Sequence, residues 1–346
     1  MIEFLKELIA TEGPLPIDRY MALCLGHPKF GYYISRDPFG AAGDFTTAPE
    51  ISQVFGELLG IWCVAAWEAI GQPSPFSLVE LGPGRGTLMA DILRTTSRMD
   101  EFQAALKVHL VEISPTLRKL QCEKLGDALQ WHETIETLPQ EPMIFVANEF
   151  FDALPIRQIL KHSVHCYERC VGVEDGVLAS QIRPMPSMPL GADGLYETSP
   201  SALAIAESLG ARLAALGGAG LVIDYGHLRT AAGDTLQALK GHKACGVFEF
   251  PGTSDLTAHV DFDALAKAFT AGGAVALPPM TQGAFLRDMG IEQRLTTLSA
   301  KLSGKPREDF IAGGKRLVGE QEMGKLFKVL CVAQPQRQPI YPFETS

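Results

Sequence analysis

Hydrophobic residues recur along the chain with two different periods, and the change between them falls near Phe76. From Phe4 to about Gly71 the spacing is helical: a short amphipathic helix, a second after Pro16, and a longer one carrying Ile51, Val54, Phe55, Leu58, Leu59 and Trp62. No strand-like run of comparable strength precedes residue 77. From Phe76 onward short apolar runs alternate with helical stretches: "FSLVEL", a helix near 86–95, "KVHLVEI", a helix near 115–125, "ALQW" and "MIFVAN". This alternation predicts a parallel sheet with helices on its faces and ligands at the carboxyl edge of its strands.

After Pro155 the order loosens. Residues 156–183 read as extra strands around "HCYERCVGV", and "PMPSMP" halts any periodic element. A helix near 200–216, the strand "GLVIDYG", a helix near 262–271 and the strands "GAVALP" and "LFKVLCVA" resume the sheet pattern. The fold class expected is α/β, Rossmann-like, with a seven-stranded and mostly parallel sheet, an N-terminal helical cap and an inserted β-rich segment. In domains, residues 1–75 form the cap, 76–334 the sheet domain with its insertion at about 156–200, and 335–346 a proline-rich tail.

Composition narrows the class. A chain of 346 residues, 46% hydrophobic and 20% charged, is an ordinary globular protein large enough for one enlarged domain or two closely joined ones. Its formal net charge of -10 argues against a nucleic-acid groove, which needs clustered Lys and Arg. The longest apolar run, "LLGIWCVAAW", stops between Glu57 and Glu68 at half the length of a membrane span. The N-terminal stretch carries acidic residues and no small-residue cleavage site, so it does not read as a secretory signal. Seven scattered cysteines form no disulfide framework and point to a reducing compartment. Cytoplasm is expected for a bacterial chain, the mitochondrial matrix for a eukaryotic one.

Candidate chemistry begins at "VELGPGRG", residues 79–86. A phosphate loop would need Lys-Ser or Lys-Thr after the glycines, and none follows; a dinucleotide fingerprint would need G-x-G-x-x-G, whereas Gly82, Gly84 and Gly86 alternate. The pattern E-x-G-x-G-x-G suits S-adenosylmethionine, whose ammonium and sulfonium favour a carboxylate such as Glu80 beside a turn that lets the backbone approach closely. By itself the pattern competes with an ordinary strand-to-helix turn. Glu112, at the end of the second strand, adds the acid that accepts hydrogen bonds from ribose hydroxyls, while Ser114 and Pro115 already start the next helix. At the fourth strand Asn148, Glu149 and Asp152 cluster in "NEFFDALP", where an acceptor would be positioned. Phe150 and Phe151 read as core.

With "GYYISRDPFGAAGDFTTAPEISQVFGE", "VELGPGRGTLMADILR", "NEFFDALPIRQ", "VIDYGH" and "DLTAHVDF" in this order, the chain resembles the MidA family from about Gly13 to Ala333. The resemblance implies a class I methyltransferase fold, S-adenosylmethionine as cofactor, and methylation of arginine in a protein substrate, a complex I subunit for the mitochondrial assembly factor of that family. Glu149 and Asp152 would offset the guanidinium charge, and Asp44 in "GDFTTAPE" would close the pocket from the cap. The cofactor set is then Glu80, Gly82, Gly84, Gly86, Glu112 and Asn148. The double-glutamate loop of the general arginine methyltransferases is absent. A small-molecule or base N-methyltransferase, or a cofactor-binding assembly module without turnover, are the alternatives, although the strand ends in N-E-F-F rather than N-P-P-[YF]. No nucleic-acid partner is expected, and a homodimer is left open.

Three local features have simpler readings. Thr47, Pro49 and Glu50 make a capping box for the long helix. His162, His165, Cys166 and Cys170 have poor spacing for zinc and alternate as a strand does, so no metal is expected. Asp224, Tyr225, His227, His259 and Asp261 follow apolar runs and rank below the carboxylates as proton acceptors.

Overall fold

A computed structural model describes residues 1–35 and 47–343. Every residue of strands Phe76–Leu81 and Met143–Asn148 is buried, which is why both read as unbroken apolar runs rather than alternating ones. They lie side by side in a nine-stranded sheet. Its continuous path runs Val275–Ala276, Phe327–Ala333, Gly218–His227, Met143–Asn148, Phe76–Leu81, Leu106–Val111 and Gln130–His132. The last five are parallel, and Phe327–Ala333 runs antiparallel to Gly218–His227. Val260–Asp261 and Met280–Thr281 pair beside the path. These two-residue strands are too short for a sequence period to register, and they make the sheet larger than the seven strands expected.

The chain leaves Phe76–Leu81 toward one edge and returns on its other side at Met143–Asn148. Strand order reverses there, and a crevice opens outside the carboxyl ends of the two strands. Helices Gln53–Ala69 and Thr87–Thr96 cover one face of the sheet, and Pro200–Leu216 and Phe262–Ala271 the other.

The capping box does not form. Thr47 precedes a short helix, Ala48–Ile51, without a side-chain cap bond. The chain then extends at Ser52, whose own hydroxyl accepts from Val54 N to start Gln53–Ala69. Glu50 does not fold back on Thr47, because its Oε1 accepts a 2.5 Å bond from the Thr87 hydroxyl across the glycine turn.

Residues 156–200 build antiparallel strands Arg157–His162, His165–Glu174, Val177–Met185 and Gly194–Thr198. Leu15–Pro16 joins them as an edge strand against Cys170 and Val171. Around that pairing Leu5, Tyr20 and Met21 of the N-terminal helices share a core with Val171, Ala238 and Leu256. The last two belong to a three-stranded sheet, Gln237–Lys240, Lys243–Cys245 and Asp255–Thr257, that the sequence did not predict. Thus the N-terminal helices and two distant segments form one body at the mouth of the crevice.

Candidate cofactor and acceptor site

Phe76–Leu81 runs into Gly82, Gly84 and Gly86, all at positive φ (64°, 53° and 74°), a region glycine enters without steric penalty. A Cβ on Gly82 would stand 2.9 Å from Phe150 Cδ2, so the glycine turn packs directly on the turn that follows Met143–Asn148. Gln121 Nε2 donates to the Gly84 carbonyl at 2.7 Å, fixing the turn from helix Pro115–Leu125. Gly86 serves as the left-handed N-cap of Thr87–Thr96.

The carboxylates around this turn are buried. Glu80 is 3% exposed, and its Oε2 has no hydrogen-bond partner among the described residues. Burial pushes its carboxyl up to about 8, and the neighbouring Glu112 charge acts in the same direction. Glu112 follows the end of Leu106–Val111; it accepts from Ser114 N at 2.8 Å and from Gln121 Nε2 at 3.3 Å, and burial raises its pKa. Ser114 caps the next helix with Pro115 in the first turn, as the sequence predicts.

Beyond Met143–Asn148 the chain turns sharply at Glu149, a non-glycine residue at φ 51°, a conformation that costs of order 1–3 kcal/mol and needs support. The support is visible. Glu149 N donates to the Ile223 carbonyl at 2.9 Å, and buried Asp224 accepts from Phe151 N at 3.0 Å and Asp152 N at 3.1 Å. Glu149 Oε1 accepts from Ala48 N at 3.0 Å and Asn148 Nδ2 at 3.1 Å. Both bonds land on one oxygen, so Oε2 is spent on neither. Burial lifts the Glu149 carboxyl to about 7, and the Asp152 charge adds to the shift. Asp152 is 5% exposed, its Oδ1 lacks a partner among the described residues, and burial raises its pKa too. Three carboxyl groups therefore share one corner with no cation bonded to them among the described residues.

Two cavities meet at this corner. The larger, about 520 Å³, is lined by Gly82, Gly84, Glu112, Ile113, Phe150 and Asp152, with Leu25 and Tyr33 from the N-terminal helices, a size suited to a small-molecule ligand. Ile113, 52% exposed, and Ile135 give it an apolar wall beside the Glu112 carboxylate. The smaller, about 40 Å³, is lined by Glu50, Glu80, Thr87 and Asn148. Glu149 borders both.

Of the sequence-predicted residues, Glu80, Gly82, Gly84, Glu112, Asn148, Glu149 and Asp152 thus converge on the two cavities, while Gly86 lines neither and acts as a helix cap. Asp44 lies outside the described residues. Glu50 and Thr87 were missed as site residues, since the capping-box spacing explained Glu50 locally. Asp224 turns out to hold the Glu149 turn in place. His227 stands 3.7 Å from Asp261, and Asp261 caps helix Phe262–Ala271 through bonds from Asp263 N and Ala264 N. Cys166 and Cys170 are buried on one face of their strand, and His162 pairs with Asp193.

Glycines at a strand end, an acid at the next strand end and an apolar wall between them define an α/β protein that holds an adenosine-bearing small molecule at its strand-order reversal. The profile of a family described as S-adenosyl-L-methionine-dependent methyltransferases matches residues 58–280, and the chain belongs to that family. It is 36% identical to the mitochondrial protein arginine methyltransferase NDUFAF7 of Danio rerio, covering 97% of this chain and 87% of that one. The human protein of the same name is also 36% identical, with 97% and 84% covered. A Burkholderia thailandensis protein solved with S-adenosyl-homocysteine superposes with a TM-score of 0.84 at 30% identity, covering 96% of this chain and 91% of that one. The chain is an S-adenosylmethionine-dependent methyltransferase, and no helix among its described residues is long and apolar enough to cross a membrane. The residues present fit that cofactor: Glu80 Oε2 and Asn148 Oδ1 are buried without hydrogen-bond partners among the described residues, and Gly82 and Gly84 line the cavity without side chains of their own.

Proposed function

We propose that the protein methylates arginine in a protein substrate such as a respiratory complex I subunit, on a class I Rossmann-like core whose order is the seven-strand path. The observation that carries this reading is the group of buried carboxyls, Glu149 and Asp152, at the inner end of the cofactor cavity. The names of the curated relatives and the resemblance to the MidA family support arginine as acceptor. When bound, S-adenosylmethionine supplies a methyl group on a sulfonium. Gly82 and Gly84 let the backbone approach it, Glu80 and Asn148 face its charged amino-acid end, and Glu112 accepts from the ribose hydroxyls. Glu149 and Asp152 hold the guanidinium. Two like charges about 4 Å apart cost roughly 4 kcal/mol at an effective dielectric near 20, so fixed carboxylates are needed to bring the two cations together. A carboxylate whose pKa burial lifts to about 7, as for Glu149, can also take the proton that the guanidinium nitrogen sheds on methylation.

In domain terms, residues 1–75 and the insertion at about 156–200 flank the domain spanning 76–334, the first helices as a cap at the crevice and Gln53–Ala69 against one face of the sheet. The compartment is bacterial cytoplasm, or the mitochondrial matrix in a eukaryote, consistent with free cysteines throughout the described residues; a homodimer is the assembly to test first. Labelled methyl transfer from S-adenosylmethionine, followed by acid hydrolysis, is expected to yield methylarginine. Label recovered in any other amino acid, or in none, overturns the reading.

Two further outcomes are expected at the cofactor. Glu112→Ala removes charge-assisted bonds worth about 1.5–3 kcal/mol, so calorimetry should show affinity for S-adenosylmethionine reduced about 10- to 150-fold. Binding should also release protons. The raised Glu80 and Glu149 carboxyls favour their neutral forms in the free protein, so the stability they contribute is full below the ordinary glutamate pKa and is lost as pH climbs through about 7 and about 8. A bound cation reverses that preference. Affinity should therefore rise between about pH 6 and pH 8, and calorimetry in two buffers of different ionisation enthalpy should give different apparent heats near pH 7. Equal heats would show that neither carboxyl meets the cofactor as a proton donor.

A further inference from the structure

Glu149 borders one more space, a cavity of about 760 Å³ that it shares with Tyr225, His259, Arg316, Gln321 and Phe327. The 520 Å³ cavity lies over the ends of Phe76–Leu81, Leu106–Val111 and Gln130–His132. The second lies farther along the same sheet edge, where Tyr225, near the carboxyl end of its strand, is in register with Phe327 at the amino end of the antiparallel neighbour. Glu149 stands between the two. We propose that this second cavity is the acceptor channel, and that it takes an arginine on an extended peptide segment rather than on a flat folded surface.

This deepens the arginine reading and rests on it. The cavity has the lining that a guanidinium prefers. Tyr225 packs edge-on against both His259 and Phe327, with ring centroids 5.5 and 5.4 Å apart, giving aromatic walls on which a planar cation can stack. A carboxylate lies at the inner end, and the Arg316 guanidinium is near enough for its charge to act on Glu149. An entering arginine would therefore share the Glu149 carboxylate with Arg316. The space is far larger than one side chain requires, so neighbouring residues enter with it. Gln321 and Leu326, the latter 44% exposed, stand at the rim beside the buried Met323 and would meet the flanking residues.

Fluorescence anisotropy with a labelled nonapeptide pool, arginine fixed at the centre, tests this in the presence of S-adenosylhomocysteine. The unmodified protein should bind the pool, and a pool with central lysine should bind at least about tenfold more weakly, since lysine lacks the planar fork. Gln321→Trp and Leu326→Trp fill the rim from two sides; each should weaken peptide binding at least about tenfold while S-adenosylhomocysteine affinity and thermal melting stay unchanged. Peptide bound equally by both variants, or not bound by the unmodified protein, overturns the channel. The two readings separate cleanly. If the rim variants bind and methylate the peptide normally while methylarginine is still the product, the channel fails and the arginine activity stands; if label appears on another residue of the peptide, both fail.

Discussion

Glu149→Gln should lower methyl transfer to arginine by about 100-fold or more while leaving S-adenosylhomocysteine affinity within about threefold of the unmodified protein. The substitution keeps the shape of the side chain, and an amide oxygen in the place of Oε1 still accepts from Ala48 N and Asn148 Nδ2. The turn at φ 51° keeps its support from Ile223 and Asp224. What disappears is the negative charge at the meeting point of two cations, and removing one such electrostatic group from an active site typically costs about 10²- to 10³-fold in turnover. Burial holds this carboxyl up at about 7, so the rate in the unmodified protein should climb through that pH as the group ionises. The variant should lack that limb. Labelled transfer across pH, with calorimetry alongside, reads both quantities. An unchanged rate would remove Glu149 from the acceptor site and make His259, which lines the neighbouring cavity, the next group to replace.

Gly82→Val is expected to abolish detectable cofactor binding, a loss beyond about 100-fold. Two effects act at once. The backbone sits at φ 64°, where a β-branched residue carries about 1–3 kcal/mol of strain, and even a Cβ would press on Phe150 at 2.9 Å. Because Phe150 lines the cavity with Gly82, the ring is driven away from its place in the cavity wall. Gly86→Ala supplies the contrast. It too sits at positive φ, with Leu125 Cδ1 at 3.0 Å from its would-be Cβ, yet it lines neither cofactor cavity. Its melting temperature should fall while the folded protein keeps its affinity. If both variants lose affinity equally, the glycines act only through helix geometry and the cradle is wrong.

The legible parts of this molecule are those whose cause is local. Phe76–Leu81 and Met143–Asn148 announce themselves because they are buried on both faces. Helix Pro115–Leu125 is bounded by a serine cap and a proline in the first turn, and Phe262–Ala271 by the Asp261 cap. Glu80, the glycines and Glu112 could be read because each sits at the end of such a strand. Where a partner lies far along the chain, sequence alone misled. The Glu50 carboxylate looked like a capping-box member, but its partner is Thr87, and Lys124 Nζ reaches the same hydroxyl at 2.5 Å from a third segment. Tyr33 donates to Asp255 at 2.9 Å across 222 residues of chain, an arrangement that no local spacing encodes. The sheet at Gln237–Thr257 was hidden because its strands are three or four residues long, too short for an alternating period to register.

The edge strand Leu15–Pro16 bears on the order in which the protein assembles. Its partners are Cys170 and Val171, and the Tyr20 hydroxyl donates to the Val247 carbonyl at 2.7 Å. Helices Ile2–Glu12 and Ile17–Gly26 therefore cannot complete the burial of their apolar faces until the chain has been made as far as Leu256. They wait as exposed amphipathic segments while the central strands pair, since contacts of such long sequence separation form late. Leu25 and Tyr33, carried on this waiting segment, complete the cofactor cavity. A nascent chain is thus unable to hold its methyl donor, and translation must pass Asp255 before the pocket gains its last wall.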